Sequence, residues 1–128
     1  MPVNNIPDDV RRFILTSIPS VPYIESVLLL QREAALTWNS SQLAQRLYVP
    51  EARAVELLQT LEAAGIAAKS AEAEGTYRYL PSPQLAEMLD RVARHYSADL
   101  FAVTDLIHSS LDKRAYQFAD AFRWRKDP

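Results

Sequence analysis

Apolar residues recur at helical spacing through most of this chain, and two short stretches alternate instead. Val10, Phe13, Ile14 and Ile18 form the first helical face, opened by Ile6-Pro7-Asp8-Asp9. Proline suits a first helical turn, and the two aspartates complement the positive end of the helix dipole. Pro19-Ser20-Val21-Pro22 closes that helix and opens a second, in which Ile24, Val27, Leu28 and Gln31 continue to about Glu33. Leu36-Thr37-Trp38 is short, β-branched and aromatic, which predicts a brief strand. Asn39-Ser40-Ser41 then supplies a cap for a short helix with Leu43, Ala44 and Leu47 on its apolar side. Tyr48-Val49-Pro50 is a tight turn into a longer helix over 50–64, and Gly65 is placed to end it.

Strands follow at 66–70 and 76–80, joined through the tip Ala71-Glu72-Ala73-Glu74-Gly75. The order is helix, short strand, helix, turn, helix, strand, tip, strand, which is that of a winged helix-turn-helix over residues 20–81. After Pro81-Ser82-Pro83 the helical period returns. Leu85, Met88, Leu89, Val92 and Tyr96 make one face; Leu100, Phe101, Thr104, Ile107 and Leu111 a second; Ala115, Phe118, Ala119 and Phe122 a third. The expected class is therefore mainly α with a small β-wing (α+β). With no repeat and no long Gly/Ser linker, 1–128 reads as a single domain. It comprises an N-terminal helix at 6–18, the winged module at 20–81 and C-terminal helices at 83–124.

Composition narrows the function classes. At 48% hydrophobic and 23% charged, the chain is globular in type. With no cysteine it has no disulfide, no thiolate metal site and no cysteine nucleophile, which fits a cytoplasmic protein. The first residues, Met1-Pro2-Val3-Asn4-Asn5, lack a signal-peptide pattern, and the most apolar run, Val27 to Leu30, is too short to span a bilayer. His95 and His108 match no metal-ligand spacing, even with Asp99 and Asp105 nearby. Ser109-Ser110 lies in no nucleophile elbow, and two glycines are too few for a phosphate loop. The expectation is a non-enzymatic protein without cofactor or metal.

Residues 36–80 resemble the winged helix of bacterial regulators of the multiple-antibiotic-resistance and arsenic-repressor kinds. The resemblance rests on Ser41-Gln42-Leu43-Ala44, Leu58, Leu61-Glu62, Gly65-Ile66 and the hairpin. A likeness over nearly the whole chain, carried by Val10-Arg11-Arg12-Phe13-Ile14, Ser20-Val21-Pro22 and Phe118-Ala119-Asp120-Ala121-Phe122-Arg123, is to a small uncharacterised bacterial winged-helix family. That resemblance implies a bacterial regulatory protein and supplies no ligand, because function resides in sites rather than folds.

In such a fold the helix over 50–64 is the one that enters a DNA groove. On a helical wheel Ala54, Leu57, Leu58 and Leu61 share the core side, which makes Leu58 and Leu61 core residues. The candidate recognition face carries Ala52, Glu56, Gln59, Thr60 and Ala63, with Val55 at its edge and Arg53 on a flank. Residues 50–76 carry a net charge of −3. Phosphate neutralisation provides nearly all non-specific DNA affinity, so this sign opposes DNA binding. Gln42, Arg46, Gln59, Lys69 and Arg78 remain as candidate phosphate, base or partner contacts.

The tail has the opposite sign. Residues 111–128 carry a net charge of +2, and Arg123, Trp124, Arg125 and Lys126 suit phosphate or a protein partner. Phe118 and Phe122, four apart, read first as core or dimer packing, together with Leu100, Phe101 and Ile107. The leading expectation is a regulatory protein that binds a protein partner or forms a homodimer. Double-stranded DNA is the alternative, and a small-molecule sensor with a pocket between the C-terminal helices and the winged module is the third reading. No membrane span is expected.

Overall fold

A computed structural model of the chain describes residues 6–109, which form mainly helices with a small three-stranded antiparallel sheet. The elements in chain order are α1 (Asp8–Ser17), α2 (Val21–Arg32), β1 (Thr37–Trp38), α3 (Ser40–Leu47), α4 (Glu51–Ala63), β2 (Ala67–Lys69), β3 (Tyr77–Tyr79) and α5 (Pro83–Ala98). A further helix, α6, covers Leu100–Ser109. No single described helix is long and apolar enough to cross a membrane. The chain gathers into two compact units: Pro22–Asp90, and a second made of Met1–Val21 with Arg91–Pro128.

The Pro22–Asp90 unit holds the sheet and the helix pair α3–α4. Asn39 caps α3: its carboxamide oxygen accepts from the Gln42 amide at 2.8 Å, and the Gln42 side chain accepts from the Asn39 amide at 2.9 Å. The two bonds satisfy reciprocally amides that a helix start leaves without partners. At the other end Tyr48 adopts a left-handed conformation, φ 58° and ψ 45°, and its amide donates to the Ala44 carbonyl. That turn lets α4 start at Glu51, with Pro50 just outside as its N-cap residue. Gly65, at φ +77°, ends the run, and the Ile66 amide returns to the Leu61 carbonyl at 2.9 Å.

α4 packs on α3 and on β2. Ala54, Leu57, Leu58 and Leu61 are buried, so the helix is turned as its wheel predicts. β3 is the middle strand of the order β1-β3-β2; Thr37 and Ala68 both pair with Arg78, and Trp38 and Lys69 both with Tyr77. The strands are shorter than the alternating stretches that predict them, though the Ser70 amide still reaches the Thr76 carbonyl at 2.8 Å. Trp38, Leu43, Ile66 and Ala67 join Ile24, Val27, Leu29 and Leu30 among the buried residues of this unit.

In the other unit Val10, Ile14 and Ile18 are fully buried, as are Val103 and Ile107. Arg91 on α5 holds Asp9 on α1 through two hydrogen bonds of 2.5 and 2.9 Å. The face expected on α6 is rotated: Ile107 is buried, but Leu100 is 46% and Phe101 80% exposed. Val103 and Ile107, one turn apart, define the inward stripe, and the aspartate before the helix sets its start, since Asp99 accepts from the Ala102 amide at 3.1 Å. Phe118, Phe122, Arg123, Trp124, Arg125 and Lys126 lie outside the described residues.

Candidate functional site

α4 presents its outer face as the sequence predicts. Ala52, Arg53, Val55, Glu56, Gln59 and Thr60 are all exposed, and Val55 is the large apolar residue among them. The cation of the group is Arg53, whose guanidinium lies 3.4 Å from a Glu56 carboxylate oxygen. Both partners are well exposed, so this i,i+3 pair contributes less than about 1 kcal/mol. Its effect is local: the positive charge on the face has a negative one beside it. Thr60 turns its hydroxyl inward onto the helix, donating to the Glu56 carbonyl at 2.8 Å.

The hairpin continues this face with mixed sign. Glu72 and Glu74 stand exposed on the tip, where Thr76 closes the turn by donating to the Ala73 carbonyl at 2.6 Å. Lys69 and Arg78 are exposed on β2 and β3. They occupy different registers and opposite faces of the sheet: Lys69 is level with Tyr77, and Arg78 is level with Ala68. The structure therefore does not join the expected contacts into one basic strip.

Gln42 and Arg46, expected as phosphate or partner contacts, both have internal roles. Gln42 completes the α3 cap. Arg46 lies 2.9 Å from Glu33 as an ion pair, although among the described residues that carboxylate oxygen makes no well-aligned hydrogen bond. The Arg46 guanidinium also sits 5.5 Å from the Trp38 ring centroid, within cation–π range. Trp38 is 3% exposed, and among the described residues its indole N–H has no partner.

Two surface cavities flank these residues. One, of about 220 Å³, is lined by Leu36, Thr37, Trp38, Gln42, Gln45 and Arg46. The other, of about 210 Å³, lies among Ser40, Val55, Leu58, Gly75 and Tyr77. The second joins the start of α3, the middle of α4 and the hairpin tip, a juxtaposition that linear spacing does not disclose. Its polar wall is Ser40, whose hydroxyl donates to Glu51 at 3.1 Å.

Away from this face, burial raises the Tyr23 phenol pKa, and burial followed by the nearby Asp90 charge raises that of Tyr79. Among the described residues the Tyr79 hydroxyl has no well-aligned hydrogen bond although Gln31 is close; Gln31 donates to Asp90 at 2.7 Å. Among the described residues, no group of three or more His, Asp or Glu side chains is arranged to hold a metal ion. The turn at Tyr48-Val49-Pro50 is where the sequence places it, but sequence reasoning missed two features: the left-handed conformation of Tyr48 and the Val55–Tyr77 cavity. A tyrosine at a helix C-cap, followed by Val-Pro, is the signal for the first. Comparison with protein-family models, with curated proteins and with solved structures returned no match for this chain.

Proposed function

We propose that the chain is a winged helix-turn-helix protein that acts by binding another protein through the exposed face of α4 and the β2–β3 hairpin. The order of elements in Pro22–Asp90, the tight turn at Tyr48 and the three-stranded sheet support the fold reading. The observation that carries the function is the chemistry of the α4 face. Ala52, Val55, Gln59 and Thr60 are exposed, and its cation, Arg53, has Glu56 beside it. A helix that reads DNA needs donors for phosphates and base edges, and this one offers few. A smooth, small-residue face with a valine at its edge suits helix packing against a protein surface.

Duplex DNA is the second reading, favoured by the exposure of Lys69 and Arg78 on the hairpin. Selection from a genomic-fragment library, run beside photo-crosslinking from a benzoylphenylalanine placed at Gln59, tests the two together. The protein reading expects no enriched fragment and a crosslink to one identified protein. Recovery of a palindromic site whose binding collapses with Glu56→Gln refutes it, since Glu56 would then be accepting from a cytosine amino group.

A further inference from the structure

We propose that the cavity between α4, the start of α3 and the hairpin tip receives the long side chain of an arginine or lysine from a basic peptide segment of the partner. This rests on the protein-binding reading above and names the partner's chemistry. The floor is apolar: Val55 and Leu58 from α4, Tyr77 from β3, with the chain at Gly75 closing one side. Val55 is 38% exposed there, so its methyl groups can be covered by an incoming side chain.

The rim is acidic. Glu51 is tied to the cavity wall by its hydrogen bond from Ser40. Glu56, which Arg53 already faces at 3.4 Å, follows Val55 in α4, and Glu74 precedes Gly75 at the tip; both are exposed, as is Glu72. Around them, residues 50–76 carry a net charge of −3. Arginine and lysine have the complementary shape: an aliphatic stem that gains by leaving water and a charged head that stays at the surface. An apolar floor with carboxylates on residues next to its lining fits both halves of such a side chain. An acidic peptide or a phosphate would fit neither. The surrounding negative field also attracts a basic segment during encounter, which makes association sensitive to salt.

The test is fluorescence anisotropy of the full chain with a labelled peptide of alternating arginine and alanine. A control peptide carries glutamate in place of arginine. The expected result is saturable binding of the arginine peptide alone, weakening as salt rises. Glu74→Lys and Val55→Asn should each weaken it roughly tenfold, the change made by one close charge or one buried apolar contact. Glu87→Lys, an equal charge change on an exposed residue of α5 outside the cavity lining, should leave it within about twofold. Circular dichroism of each variant establishes that it is folded. Equal binding of the glutamate peptide, no saturation, or an equal loss from Glu87→Lys overturns the assignment. If the peptide fails while the Gln59 crosslink still identifies one protein, this inference falls and the protein-binding reading stands. If the fragment library yields a palindrome, the reading falls first.

Discussion

Leu61 lies fully buried on the inner side of α4, so shortening it to alanine removes three carbon groups from a packed interior. At ~0.8 kcal/mol per group the lost transfer energy is ~2.4 kcal/mol. The helix is held at both ends, by the Tyr48–Pro50 turn and by Gly65, so the site cannot collapse freely. A residual cavity of roughly 50 Å³ at ~24 cal/mol per Å³ adds ~1.2 kcal/mol. The expected destabilisation is therefore about 3.5 kcal/mol. With a urea slope near ~1.5 kcal/mol per molar, the unfolding midpoint should fall by about 2 M. The chain has two tryptophans, and Trp38 is buried in the same unit as Leu61. In a Trp124→Phe background, the fluorescence of Trp38 alone then follows that unit. Gln59→Ala, on the opposite face, is the internal control and should stay within ~0.5 kcal/mol. A Leu61→Ala cost below ~0.5 kcal/mol, or a larger cost for Gln59→Ala, would mean that α4 packs through its other side.

Three further outcomes follow from the local geometry. Asn39→Ala removes the side-chain acceptor of the Gln42 amide, leaving the backbone bond from Asn39 to the Gln42 side chain, and should cost ~1 kcal/mol in urea unfolding, with faster hydrogen exchange at Gln42. Tyr48 is 94% exposed and left-handed, so Tyr48→Gly loses little packing and relieves ~1 kcal/mol of backbone strain, offset in part by glycine's unfolded-state entropy. It should be neutral to slightly stabilising, whereas Tyr48→Val, branched at Cβ, should destabilise by ~1–2 kcal/mol. The Arg91 hydrogen bonds hold the Asp9 carboxyl below the usual aspartate range, so their stabilisation is complete above the ordinary aspartate pKa and is lost as pH falls through the lowered one. Carboxyl-carbon NMR should show the Asp9 midpoint rising in Arg91→Gln; an unmoved midpoint would show that the pair does not persist in solution.

Much of the helix and strand order was legible because it depends on local signals. Gly65 ends α4 through a positive φ that its missing Cβ permits, and the 3.6-residue period places Ala54, Leu57, Leu58 and Leu61 together. Element ends were less legible. Strand 76–80 shortens to Tyr77–Tyr79, with single backbone bonds from Ser70 to Thr76 and from Leu80 to Ile66 flanking it, an end set by the neighbouring strands rather than by the alternation of 76–80. On α6 a wheel through Leu100, Phe101 and Ile107 is no worse than one through Val103 and Ile107; tertiary packing selects the second. The site divides in the same way. Exposure of the α4 face follows from its period, but the meeting of Ser40, Val55 and Tyr77 needs three elements in place. Arg46 read as an available cation because nothing in sequence marks Glu33 as its partner.

The position of β3 between its two neighbours also bears on the order in which this unit assembles. Ala68 pairs with Arg78 across a short tip, whereas Thr37 pairs with the same residue across α3, α4 and β2. Closing the longer loop costs more chain entropy, and it returns only a two-residue strand. The β2–β3 pair should therefore be made before the rate-limiting barrier is crossed, and β1 should dock after it. Weakening Thr37 would then accelerate unfolding while leaving the refolding rate nearly unchanged, and weakening Ala68 would slow refolding.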